Sequence, residues 1–170
     1  MAITIGIALA VPEPWGSQLQ ELRRSYGDPE ADRMPTHITI LPPNTVGLID
    51  LPRVHDGLLA AAREQQPFTI TIAGSASFRP VSDVTYVRVT QGAHQCAQLE
   101  KSVRSHIAAR AALHEYLPHI TVAMDVDSHV LDQAERDLAD FNATWLVDEV
   151  TLFHRDKAGY WAPDRSFVLG

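Results

Sequence analysis

Two stretches of this 170-residue chain, MPTHITILPP at 34–43 and YLPHITVAMD at 116–125, repeat one order of side chains. In each, a proline stands one or two positions ahead of histidine, isoleucine, threonine and an aliphatic residue: His37-Ile38-Thr39-Ile40 and His119-Ile120-Thr121-Val122. Imidazole is the side chain whose ordinary pKa, about 6.5, lets it give or take a proton near neutrality. Two imidazoles can divide that work, one neutral and taking a proton from water, the other protonated and giving one to a departing oxygen. Each such step contributes roughly 10²–10⁴-fold. Threonine hydroxyls add donors for the oxygens of a phosphate whose charge must be held through the transition state.

In an extended strand, side chains at i and i+2 share a face. His37 with Thr39, and His119 with Thr121, are therefore expected to face a cleft, while Ile38, Ile40, Ile120 and Val122 turn into the core. Either copy alone would read as surface decoration or a half-buried histidine. The duplication, with matched prolines and matched aliphatic positions, is what points to a paired device. Phosphodiester cleavage suits this kit, above all a strained 2′,3′-cyclic phosphate that needs only activated water and a protonated leaving group.

The elements around the motifs repeat as well. Residues 2–11 form an apolar β-type run, and Trp15, Leu19, Leu22 and Tyr26 form a helical stripe that ends at Gly27. The first motif strand follows, then a helix started by Asp50 and Pro52 that carries Val54, Leu58, Leu59 and Ala62, then the alternating run FTITIA at 68–73. DVTYVRV at 83–89 begins the pattern again. A helix with Cys96, Leu99, Val103 and Ile107 on one face precedes the second motif strand. Ser128 is positioned to cap a helix with Leu131, Ala134 and Leu138, and ATWLVDEVTLFHRD returns to β character before a turn at 157–159. The expected fold is α+β: one domain over residues 1–170, duplicated and bilobal, with two antiparallel sheets around a central cleft and helices outside. The lobes are expected at about 1–80 and 81–170, with strand exchange between them allowed.

Composition narrows the function classes. With 45% apolar and 21% charged residues the chain has an ordinary core to bury. Its net charge of −7 divides as 6 basic against 8 acidic groups in residues 1–80 and 8 against 13 in 81–170, so no broad positive field exists for an extended nucleic-acid footprint. A small anion in a local pocket remains compatible. The one cysteine, Cys96, reads as a small buried thiol and the compartment as the reducing cytoplasm. The apolar start reaches Pro12 well short of a membrane span. Neither motif has an adjacent carboxylate and His-Glu-x-x-His is absent, so no metal or other cofactor is expected. His55, His94, His106, His114, His129 and His154 are expected at helix ends and solvated faces. Trp15, Tyr160 and Trp161 are candidate stacking surfaces for a base, with core or hairpin packing as the alternative for each.

The paired His-x-Thr-x strands, with PFTITIAGSASFRP at 67–80, VTYVRV at 84–89, LPHITVA at 117–123 and the closing VDEVTLFHRDKAGYW, resemble the two-histidine phosphoesterase superfamily, which includes 2′-5′ RNA ligase-like proteins and cyclic phosphodiesterases. The resemblance spans nearly the whole chain. It implies a bilobal α+β fold with His37 and His119 as catalytic groups, Thr39 and Thr121 as phosphate ligands, and His119 as base with His37 as acid in hydrolysis. The ligase-like branch often carries a basic residue after each motif, whereas Leu41 and Met124 stand here. The expected substrate is therefore a cyclic or 2′-5′-linked phosphodiester of a nucleotide or short RNA end, cleaved by a monomer without metal. The rival readings are a nucleotide or RNA-end binding module without turnover and a metal-dependent hydrolase.

Overall fold

The computed structural model describes residues 1–110 and 112–170. Its elements run β1 (Ala2–Ala10), α1 (Trp15–Ser25), β2 (His37–Gly47), α2 (Leu51–Glu64), β3 (Phe68–Ser77), β4 (Val84–Gln91), α3 (Ala93–Ile107), β5 (His119–Met124), α4 (Ser128–Asp137), β6 (Asn142–Val147), β7 (Glu149–Arg155) and β8 (Trp161–Val168). Up to β6 the order is β-α-β-α-β twice. Each helix follows from its periodicity: in α2, Val54, Leu58, Ala61 and Ala62 recur on one face and are buried, and Pro52 sits in the first turn, where its missing N–H is not needed. One expected cap is displaced. Asp127 occupies the cap position of α4, and Ser128 is already its first helical residue.

The strands form two four-stranded antiparallel sheets, ordered β2-β1-β7-β8 and β5-β4-β3-β6. The sheets do not divide at residue 80. β3, from the first half, inserts between β4 and β6, while β7 and β8, from the end of the chain, complete the sheet begun by β1 and β2. Local periodicity identifies strands but carries no information on their partners, and here the partners are exchanged.

Each motif strand is the outermost strand of its own sheet, and the two motif strands lie against each other. The helices cross over in the same way. α3, which follows β4, packs on β2, and α1, which follows β1, packs on β5. A continuous apolar cluster joins both sheets, with Ile38, Ile40, Ile120 and Val122 all at 0% exposure. Full burial of such side chains stabilises by about 1.5–3 kcal/mol each, which locks the register: a slip of one residue would put these four in the cleft and the histidines in the core.

Candidate active site

The motif strands are built alike in detail. The first five residues of both show the same sequence of half-buried histidine, buried isoleucine, half-buried threonine and two buried residues. The alternation breaks after the fourth position for a shared reason. Thr39 pairs with Ala8 and Leu41 with Ile7, leaving Ile40 as an extra residue; Thr121 pairs with Tyr86 and Ala123 with Thr85, leaving Val122 as an extra residue. Each strand thus bulges directly after its threonine, which re-aims the residues that follow.

Both imidazoles are held identically. His37 Nδ1 lies 2.8 Å from the Pro35 carbonyl oxygen and His119 Nδ1 lies 2.8 Å from the Leu117 carbonyl oxygen. A carbonyl oxygen only accepts, so Nδ1–H donates in both rings and Nε2 is left to exchange protons. The prolines explain the motif's flanks: each lies in the segment entering the strand, whose carbonyl two residues before the histidine turns back onto the ring. His119 is further fixed edge-on by Phe78 and Tyr86, with ring centroids at 4.9 and 5.4 Å, and these two rings stack on each other at 4.2 Å.

Burial sets the protonation of the pair. The protein packed around His37 pushes its pKa down to about 4, with the charges of Arg23 and His119 acting in the same direction against the favourable Pro35 bond. His119 is lowered too, again by burial, against its bond to Leu117. Both rings are therefore neutral at pH 7 when the cleft is empty.

His37, Thr39 and Thr121 line one cavity of about 290 Å³, together with Arg23, Met124 and Trp161. His119 is not part of its lining, but it is close enough for its charge to oppose protonation of His37. Of the three candidate stacking aromatics only Trp161 reaches the cavity. The six-membered ring of its indole lies against Gly6, where an added Cβ would meet it at 3.0 Å, so glycine leaves the room for this close approach to β1. Trp15 instead stacks on Trp145 at 5.9 Å and packs against the core, and Tyr160 is 49% exposed under the guanidinium of Arg33, 6.0 Å from its centroid. Leu41 and Met124, the positions lacking a basic side chain, both line the cavity.

Sequence reasoning missed three features. Tyr116 donates 2.8 Å from its hydroxyl to the Thr39 carbonyl, tying the segment before β5 to β2. Phe78, given no role by the sequence, and Tyr86, read only as a strand residue, brace His119. Arg23 is 8% exposed and pairs through Nε with Asp28 at 2.8 Å. A signal for Arg23 existed: four residues after Leu19, it is a charge on the inward stripe of α1. His55 and His154 are not on solvated faces either. Their Nε2 atoms are buried and lie 3.4 and 3.6 Å from one Asp164 oxygen, on residues outside the cleft lining. Cys96 is fully buried, and burial pushes its thiol up to about 12, which removes it as a nucleophile.

The family model described as "2'-5' RNA ligase superfamily" matches residues 11–159. Similar sequences include a Bacillus licheniformis protein, 26% identical over 158 residues (90% of this chain, 93% of that one), and an Oceanobacillus iheyensis protein, 27% identical over 169 residues (97% of each); both bear the name "Putative phosphoesterase". Among solved structures, E. coli LigT complexed with 3'-AMP superposes with a TM-score of 0.74 at 19% identity, covering 99% of each chain. E. coli LigT complexed with NADP+ gives 0.74 at 22% identity with the same coverage. Two motif strands at equivalent sheet edges, and a family match over residues 11–159, make this chain a phosphoesterase of the 2′-5′ RNA ligase superfamily.

Proposed function

We propose that the chain hydrolyses a cyclic, 2′,3′-type, or 2′-5′-linked phosphodiester of a nucleotide or short RNA end by acid–base catalysis between His37 and His119, with no metal ion in the step. The observation that carries this reading is the matched pair of imidazoles, each with Nδ1–H tied to a carbonyl two residues back and Nε2 left to exchange protons, beside threonines that line one cavity with His37. One ring takes a proton from water as its oxygen bonds to phosphorus. The other gives a proton to the ribose oxygen as the phosphorus–oxygen ester bond breaks, so that a cyclic phosphate yields a phosphomonoester. Thr39 and Thr121 donate to the non-bridging oxygens.

The family resemblance makes His119 the base, but the burial of His37, reinforced by the charge of Arg23, favours the reverse. A ring held near 4, beside Arg23, is the one kept neutral, so His37 takes the proton from water and His119 supplies the acid. Trp161, the aromatic of the cavity lining, offers the base a stacking face. E. coli LigT has been solved with 3'-AMP and with ATP, which supports a nucleotide as the ligand class.

Incubation with the four 2′,3′-cyclic mononucleotides and separation of the products tests the proposal. Ring-opened monophosphates, formed in the presence of a chelator and lost on changing either histidine, are expected. Binding without turnover would leave the cleft as a recognition module, and restoration by zinc or manganese after chelation would replace acid–base catalysis with metal-bound hydroxide.

A further inference from the structure

The reacting phosphate is an anion, and of the groups assigned to it the threonines and His37 carry no charge, while His119 carries one only while it holds the proton it donates. Among the described residues that line the cavity, Arg23 is the one permanently charged cation. Its position is built rather than incidental. Gly27, at φ +79°, reverses the chain at the end of α1 and brings Asp28 back against the helix, where the Asp28 N–H meets the Arg23 carbonyl at 3.4 Å. The Asp28 side chain is 0% exposed and both its oxygens are used: Oδ2 accepts from Arg23 Nε at 2.8 Å and Oδ1 accepts from the Glu30 N–H at 2.9 Å. The guanidinium is thereby fixed. Among the described residues Asp28 is its sole hydrogen-bond partner, which leaves the two Nη groups unengaged on a side chain that lines the cavity. The next residue makes the contrast: Arg24 turns outward and is occupied by Glu21 and by Asp32 at 2.8 Å.

A guanidinium with one edge clamped and the other open presents the geometry that takes two oxygens of a phosphate at once. The one carboxylate of the lining, Glu30, is offset by Arg33, whose Nη1 lies 3.3 Å away. We propose that Arg23 is the phosphate-holding cation of this cleft, with Asp28 as its positioning residue. This rests on the proposed phosphodiesterase reading for its role in turnover, but not for its role in binding.

The test is titration of wild-type protein with inorganic phosphate, read by calorimetry and by the Arg23 Nε–H signal in nitrogen-correlated NMR, assigned through its loss in R23K. Phosphate should move that signal, and R23M/D28N, which removes both charges so that no buried carboxylate is orphaned, should bind phosphate at least tenfold more weakly. Adding M124R to that double variant places a cation on the same cavity and should recover part of the affinity. In cyclic mononucleotide hydrolysis, R23M/D28N should lower kcat/KM at least tenfold and move the acidic limb of its pH profile upward. An unmoved Arg23 signal on saturation, or unchanged affinity and an unmoved limb in R23M/D28N, overturns the assignment. The two proposals separate cleanly. Arg23-dependent phosphate binding without turnover removes the phosphodiesterase reading alone, whereas histidine-dependent turnover that is indifferent to Arg23 removes this one alone.

Discussion

The sharpest prediction concerns pH, because the histidines depart from ordinary values in a direction that changes where the protein should work. kcat/KM reports the groups of the free protein. With His37 near 4, its neutral form is about 90% populated at pH 5, whereas a histidine titrating at 6.5 would be about 3% neutral there, a difference of roughly thirtyfold in available base. His119, lowered as well, loses the proton it must donate below 6.5. The productive pairing of neutral His37 with protonated His119 therefore peaks between about pH 4 and 6.5, and kcat/KM should fall on either side. A bound phosphate anion favours the protonated rings, so the kcat profile should sit at higher pH than that of kcat/KM. Stability carries the same signature. The unfolded chain protonates His37 near 6.5 and the folded chain only near 4, so the unfolded state holds more protons in that window and stability falls as pH drops through it. H37N should flatten that part of a Tm-against-pH curve. Initial rates with a cyclic mononucleotide from pH 3.5 to 9 decide the matter. A profile that rises monotonically to high pH, or a flat one between 5 and 8, would refute the reasoning.

H37N and H119N should each lower kcat/KM by about 10²–10⁴-fold with the circular dichroism spectrum unchanged, and the double variant should be little worse than the singles, since acid and base serve one displacement. T39V and T121V should each cost about 1–3 kcal/mol of transition-state stabilisation, measured as kcat/KM, because each removes one donor to the phosphate oxygens. Y116F removes the hydroxyl that donates to the Thr39 carbonyl and should lower stability by roughly 1 kcal/mol, seen as a reduced urea midpoint. Raising salt should weaken kcat/KM for a cyclic mononucleotide with a shallow slope, corresponding to about one or two phosphate contacts; a slope implying six or more would require a basic surface patch that the acidic composition does not predict.

How much of this was legible beforehand differs from residue to residue, and the division has a physical cause. The strand and helix order, the inward isoleucines of both motifs and the placement of His37 beside Thr39 and His119 beside Thr121 all follow from periods of 2 and 3.6, which are local properties of the chain. The exchange of β3 into the second sheet and of β7 and β8 into the first did not follow, because strand pairing depends on contacts remote in sequence. The paired bulges after Thr39 and Thr121 exist only as mismatches of register with β1 and β4. Trp15, Tyr160 and Trp161 are indistinguishable in sequence as amphipathic aromatics, and only the tertiary structure places Trp161 alone at the cavity, against Gly6. Arg23 shows the boundary most clearly. Its position on an inward stripe is written in the sequence, but a buried guanidinium needs a fixed counter-charge, and its remaining N–H groups need a cavity that admits solvent or a ligand. Those came from the reversal at Gly27 that carries Asp28 back and from the meeting of two sheet edges that leaves a cavity in front of it.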